Sequence, residues 1–406
     1  MADRFTLAFV LGTCALPLPS VGQDLRGHGG PVRALAHQDG MIYSGSFDTR
    51  AIVWEGPVAR QVTRVHSGGV TAVLPLPDGS FVSGGQDGHI AIWDGGVEPV
   101  RFEQWHEMPV ADLAAWSGGF ASASWDGQIA LWSGSDAPEY LDGHSGQITG
   151  MVAYGDGLAS VGSDFRLRIW GSDGSAHSML DLEALPADLA TDGQFLFVAG
   201  SDGFVARVAP DVPNVKIELT TRPLTSVTAD RSAVVAADMT GQVWVLDPET
   251  LEIRARFDTG QGAVWAIALL NSEILTGGND GFIRRWSLAG DPMGAGSGVP
   301  EPTLTNPRGA EVFRACAVCH ALTPDDEGRA GPTLYRVFGR MIGTAEGYDY
   351  SPALREMDIT WTPETVAELF KYGPTVYTPG SRMPEQKIPS ASDRQALVEF
   401  LARAAR

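Results

Sequence analysis

The sequence predicts a multidomain chain: an all-β propeller of seven blades, followed by a smaller second domain. Three observations carry that expectation. Trp54, Trp93, Trp132, Trp170 and Trp286 end similar segments, with Val208 and Leu246 filling the two gaps, at intervals of 38 to 40 residues. Between about Leu288 and Pro307 the composition changes to Gly, Pro, Ser and Thr with no hydrophobic period, which marks a linker. Beyond it lies Cys316-Ala317-Val318-Cys319-His320, around which the C-terminal part is organised.

Within each repeat, short alternating stretches such as Ile90-Ala91-Ile92-Trp93 are separated by Gly and Asp turns, so each unit reads as a small antiparallel sheet. A period near forty with this pattern is that of a four-stranded blade, and ring closure removes most exposed sheet edges. Residues Asp24 to Gly27 are expected to add the strand that completes the last blade. Asp48, Asp87, Asp126, Asp164, Asp202 and Asp280 stand six residues before the closing position, and Ser44, Ser83, Ser122, Ser160 and Thr276 four residues earlier again.

Together with Gly27-His28 and Gly143-His144, and with His66 and His106 in the same place, these residues resemble the WD-repeat propellers. The resemblance implies a His, Ser/Thr, Asp and Trp network inside each blade. Four copies at fixed spacing argue for a scaffold rather than a Ser-His-Asp catalytic triad, because buried Asp and His need partners. The repeat decays. Unit five has Val198 and Val208 at the Ser and Trp positions. Unit six has Ala236, Thr240 and Leu246, which leaves apolar packing to hold it. Unit seven has Gly260 where the histidine would stand.

The whole chain carries 29 basic and 49 acidic residues, a net charge of −20. Of these, 17 basic and 36 acidic residues lie before Thr303, so the propeller half holds −19. Such a surface repels nucleic acid and anionic lipid. Residues 1–22 read as an export signal: Arg4, an apolar run from Phe5 to Leu16, then Pro17 and Pro19, with Ser20 and Gly22 before a cut at Gln23. The run is too short for a membrane span. Cys14 leaves with the signal, so the mature chain keeps two cysteines and no structural disulfide.

Cys316 and Cys319, three apart, face the same side of a helical turn, and His320 follows on that side. C-x-x-C-H is the spacing of a c-type haem attachment site. Zinc would need more ligands, and after His320 the chain holds no further Cys or His. A thioredoxin-like dithiol would need a βαβ setting, which is absent here.

The segment from about Asn306 to Ala405 resembles an all-α class I cytochrome c of the mitochondrial and bacterial carrier type. Gly309 and Phe313 before the motif match one terminal helix, and Leu397 and Phe400 match the other. The resemblance implies that these helices pack together. It also implies one covalent haem c, with iron held by His320 and Met383. Met383 sits in Pro379-Gly380-Ser381-Arg382-Met383-Pro384, which resembles the family's axial methionine loop. Gly331-Pro332 is similar to the pair whose proline carbonyl takes the proximal histidine's N–H and orients it. Gly339-Arg340 and Gly347-Tyr348-Asp349-Tyr350 resemble the loop that binds the haem propionates, with Trp361 against one of them. Bacterial haem c is attached on the exported side of the membrane, which implies a periplasmic protein. The family's carriers often ring the haem edge with lysines, but only Lys371 and Lys387 are present here.

The expected domains are therefore an export signal over 1–22, a propeller over 23–290, a linker over 291–305 and a cytochrome c domain over 306–406. His/Met ligation leaves no open iron site and points to an electron carrier rather than an enzyme, with the propeller docking a redox partner. A catalytic propeller that passes electrons to the haem, or a non-redox scaffold, are the alternatives. By the WD-repeat resemblance, Arg33, Phe47, Trp125 and Trp265 face the top rim. Because units seven and one are neighbours, Trp265, Arg33 and Phe47 are expected to form one patch. Aromatic and Arg clusters of this kind make interface hot spots.

Overall fold

The computed structural model describes residues 24–96, 98–134, 137–141, 143–209, 212–294, 307–317, 320–324, 331–346, 348, 350–381, 383 and 387–405. The export signal, Cys319 and most of the linker lie outside the described residues.

Seven four-stranded antiparallel sheets form the first domain. Blades 1 to 6 are simple meanders, spanning Val32–Thr63, Val70–Gln104, Val110–Leu141, Ile148–Asp181, Pro186–Glu218 and Leu224–Asp258. Blade 7 takes three strands from Val264–Ser287 and its outer strand from Leu25–Arg26, with Leu25 opposite Ile283. The N-terminal segment thus closes the ring. The chain after blade 7 folds back on it, with Pro292 bridging Trp286 and Met293 N donating to Arg285 O.

Each blade alternates residues toward its two neighbours, so the core is a ring of apolar layers between blades. Tyr43 and Val53 of blade 1, for example, pack with Val70, Phe81 and Trp93 of blade 2. The first strands of neighbouring blades are also latched by hydrogen bonds. Thr71 Oγ1 donates to Val110 O (2.6 Å) and Thr149 Oγ1 to Pro186 O (3.1 Å). Asp112 Oδ2 accepts from Met151 N (2.9 Å) and Asp188 Oδ2 from Val227 N (2.8 Å).

In blades 1 to 4 the repeat residues form one hydrogen-bonded chain. Trp54 Nε1 donates to Ser44 Oγ (2.8 Å), which meets His28 Nε2 (2.7 Å), and His28 Nδ1 faces Asp48 Oδ2 (3.2 Å). Ser44, Ser83, Ser122 and Ser160 are completely buried. A hydroxyl that no substrate can reach is structural, as expected. Blade 7 departs from the sequence expectation. Gln261, one residue beyond Gly260, takes the histidine's place: Thr276 Oγ1 donates to Gln261 Oε1 (2.6 Å) and Gln261 Nε2 to Asp280 Oδ1 (2.9 Å). An amide presents one acceptor and one donor group, as a neutral imidazole does. Blade 6 is filled by Ala236 facing Trp244 across the strands, with Leu246 beside them in the same apolar layer. It is not held by apolar contact alone, because buried Asp238 accepts from Thr240 N, Thr240 Oγ1 and Gln242 N.

The second domain is helical, with α1 (Pro307–Ala317), α2 (Pro352–Arg355), α3 (Pro363–Tyr372), α4 (Pro374–Tyr377) and α5 (Ala391–Ala404). Helix α3 opens on a capping box in which Thr362 and Thr365 each bond the other's backbone N–H, and Ser390 caps α5. Helices α1 and α5 cross at Gly309, where a Cβ would stand 2.2 Å from Ala396 O. That approach brings the Phe313 and Phe400 rings to 5.1 Å. Arg308 and Asp393 close the outside of the crossing through two hydrogen bonds, at 2.8 and 2.7 Å.

Candidate functional site

The sequence elements singled out in the second domain converge on one apolar cavity of about 340 Å³. Its wall includes Cys316, His320, Pro332, Arg340, Tyr348, Tyr350, Trp361 and Met383. Cys316, near the end of α1, is buried. His320 follows α1, its N–H donating to Cys316 O (2.9 Å), so the end of the helix fixes the histidine relative to the cysteine.

His320 Nδ1 donates to Pro332 O at 2.7 Å. That bond sets the tautomer and puts the ring's lone pair on Nε2, the nitrogen a metal would take. Gly331 is required beside it, since a Cβ there would lie 2.4 Å from His320 Cε1. Met383 lines the same cavity, and its N–H donates to Ser381 Oγ (3.1 Å).

A polar corner is built by a short ladder. Gly339 N donates to Trp361 O (2.8 Å) and Trp361 N to Arg340 O (2.9 Å), which sets Arg340 and Trp361 side by side. Arg340 donates to the carbonyls of Thr333 and Tyr335. Burial lowers its pKa from the usual arginine value, with Tyr350 opposing the shift. The Tyr348 and Tyr350 rings meet edge to face at 4.8 Å, and burial pushes the Tyr350 phenol up. An apolar slot lined by an imidazole, a thioether and a thiol, with arginine and tyrosines at one corner, fits a haem. Soft sulfur and imidazole donors suit its iron and its carboxylates need the polar corner.

The Cytochrome c family matches residues 307–405, and the WD domain, G-beta repeat family matches residues 20–55 and 59–94. Cytochrome c of Gibberella zeae is 35% identical over 95 residues, which is 23% of this chain and 89% of the relative. The chain belongs to the cytochrome c family. Cytochrome c2 of Blastochloris viridis is 38% identical over 89 residues, 22% of this chain and 69% of the relative. Cytochrome c of Arabidopsis thaliana is 35% identical over 95 residues, 23% and 84% of the respective chains. The crystal structure of the computationally designed Ika8 protein matches with a TM-score of 0.53 and 20% identity, over 66% of this chain and 99% of that one. The last likeness is one of fold. A WD40 propeller fused to a cytochrome c domain is thus the architecture, and the cytochrome c domain implies electron transfer through haem.

The rim residues divide. Arg33 and Trp265 do meet: Arg33 Nη1 donates to Trp265 O (3.0 Å), and the guanidinium lies 5.5 Å from the indole centroid. Trp265 Nε1 donates to Asn279 Oδ1 (2.7 Å). Trp125 is exposed. Phe47 packs over Gly69 of the next loop and lines the cytochrome c cavity, together with Gly29, Asp48, Thr49 and Arg64. Arg64 had no repeat signal to mark it. Thr49 had one, because it replaces the glycine that follows the blade Asp in most units.

Proposed function

We propose that this chain is an exported c-type cytochrome, carrying electrons through one covalent haem ligated by His320 and Met383, with the propeller as its partner-docking module. The reading rests on one observation above all: the histidine of C-x-x-C-H, oriented by the Pro332 carbonyl, shares a cavity wall with Met383. One-electron exchange at the haem iron supplies the chemistry. Cys316 and Cys319 would hold the group by thioether bonds, Pro332 orients the histidine, and Arg340, Tyr348, Tyr350 and Trp361 would receive the carboxylates. Aromatic and aliphatic walls exclude water, which favours the less charged reduced state. With both His320 and Met383 holding the iron, no position would remain for a substrate, which would favour electron transfer.

The docking surface we assign to the top rim is Trp125 together with the Arg33–Trp265 pair. No helix among the described residues is long and apolar enough to cross a membrane, and export rests on the N-terminal signal and the site of haem attachment. The test is the spectrum and haem content of the purified exported protein. One haem c per chain, a thioether charge-transfer band and an N-terminus near Gln23 are expected. A second chromophore, or bis-histidine ligation, would overturn the reading. Trp125→Ala and Trp265→Ala should slow electron exchange with a redox partner isolated by co-purification from the exported fraction, while leaving the spectrum unchanged.

A further inference from the structure

The cavity of the cytochrome c domain is not closed by that domain alone. Three loops at the top of blade 1 and the entry to blade 2 reach its wall, through Gly29, through Phe47, Asp48 and Thr49, and through Arg64. Of these, Asp48 is committed inside its own blade. Its carboxylate accepts from His28 Nδ1, from Gly29 N (2.7 Å) and from Arg50 N (3.0 Å). The other residues that this part of the propeller brings to the cavity wall are Phe47, Thr49 and Arg64.

Thr49 is the informative residue. Its φ is +70°, in the left-handed region that a β-branched residue rarely adopts. Gly88, Gly127, Gly203, Gly241 and Gly281 hold the equivalent turn position in five other blades, with φ between 73° and 96°, and Phe165 holds it in blade 4. Blade 1 thus carries a side chain where the turn itself asks for none, on the loop that faces the cavity. Strained backbone of this kind persists where surrounding structure enforces it, and it concentrates at functional sites.

We propose that the blade 1 rim is a wall of the haem site, and that Phe47, Thr49 and Arg64 set the haem's solvent exposure and electrostatic environment. This rests on the haem reading given above. Covering the site with Phe47 and Thr49 removes water, and Arg64 adds positive charge. Both favour the reduced iron, which carries one positive charge fewer, so both raise the midpoint potential. An external partner then exchanges electrons at the junction of the two domains rather than with a cytochrome surface that stands apart.

The experiment is an equilibrium redox titration of the full holoprotein and three variants, Thr49→Gly, Phe47→Ala and Arg64→Gln. Covalent haem content and the charge-transfer band should match wild type in all of them. Phe47→Ala combined with Arg64→Gln should lower the midpoint potential by an amount equivalent to about a tenfold change in the redox equilibrium, about 59 mV for one electron. Thr49→Gly should shift it less, in the same direction, while keeping the blade intact, because glycine serves this turn elsewhere in the ring. Wild-type potentials in all variants, with spectra unchanged, would overturn the proposal while leaving the haem reading intact. Wild-type protein without covalent haem would overturn the haem reading, and this proposal with it.

Discussion

The histidines of the two domains show how one side chain serves opposite ends. In blades 1 to 4 both ring nitrogens are engaged by side chains of the same blade. His66 has Asp87 at 3.1 Å on Nδ1 and Ser83 at 2.9 Å on Nε2, and His106 and His144 repeat the arrangement. In the cytochrome c domain, His320 gives Nδ1 to a backbone carbonyl and stands in the wall of a cavity that Met383 also lines. A histidine whose two nitrogens both meet buried side chains is a strut. One oriented by a backbone carbonyl in a cavity wall belongs to a site.

The carboxylates divide in the same way. Burial alone would raise Asp48, Asp126 and Asp164, but the hydrogen bonds and charge of the facing histidines, helped by backbone N–H donors, hold them below the usual range. Asp112 and Asp188 on the first strands of blades 3 and 5 face no histidine. Burial and, for Asp112, the neighbouring Asp188 charge push them up to about 7 and about 6. Arg33 lies within reach of both charges, yet burial lowers its own pKa.

The contrast can be broken most completely at the haem. Replacing both Cys316 and Cys319 by Ala should abolish covalent attachment, so acid–organic extraction removes haem from the variant and not from wild type. Equal retention would refute the c-type assignment. Met383→Ala should then open the iron's sixth position, with carbon monoxide binding the reduced form and loss of the thioether band. Unchanged ligand binding would move the axial ligand elsewhere.

In the propeller the expected effects concern stability, not spectrum. Ser83→Ala strands His66 Nε2 and Trp93 Nε1 in a buried layer and should cost about 3 kcal/mol in urea unfolding. An altered haem spectrum in that variant would show that the network reaches the redox site. The two carboxylate sets predict opposite pH slopes. The lowered acids contribute stability that is present above about pH 4 and is lost as pH falls through their folded values. The raised pair contributes stability present below about pH 4 and lost as pH rises through 6 to 7, because the folded state holds protons that the unfolded chain releases. Asp112→Asn should therefore flatten the decline between pH 5 and 8, a difference of about 1 to 2 kcal/mol. Thermal melts at several pH values check it, and an unaltered slope would count against the shift. The smallest effect is expected in blade 6, where Ala236→Ser places a hydroxyl in a layer without a histidine and should cost about 1 kcal/mol. A stabilising result would mean that the lost network can be rebuilt one residue at a time.

Much of this was legible in the sequence because repetition is a one-dimensional signal. The intervals between Trp54, Trp93, Trp132 and Trp170 follow from blade geometry, and the Asp and Ser spacings follow from which residues share a face of antiparallel strands. Blade 7 was misread at Gly260 because its turn is one residue shorter, and Gln261 performs the same bonding with different atoms. Asp112 and Asp188 carried no signal, since a strand gives no sign that its carboxylate will latch onto the backbone of the next blade.

By itself the sequence determined the seven repeats and the attachment motif, which depend on local spacing or on residue types with few uses, while the pairing of Gly331-Pro332 with His320 was implied by the family resemblance. Only tertiary structure decided where Phe47 goes. Its place on the rim follows from its register before Asp48, but its neighbours are set by the docking of a second domain. That docking brings Arg64 and Thr49 to the cavity of Met383 from residues more than three hundred positions earlier in the chain. Contacts across such a separation depend on surface shape and charge, which no periodicity records.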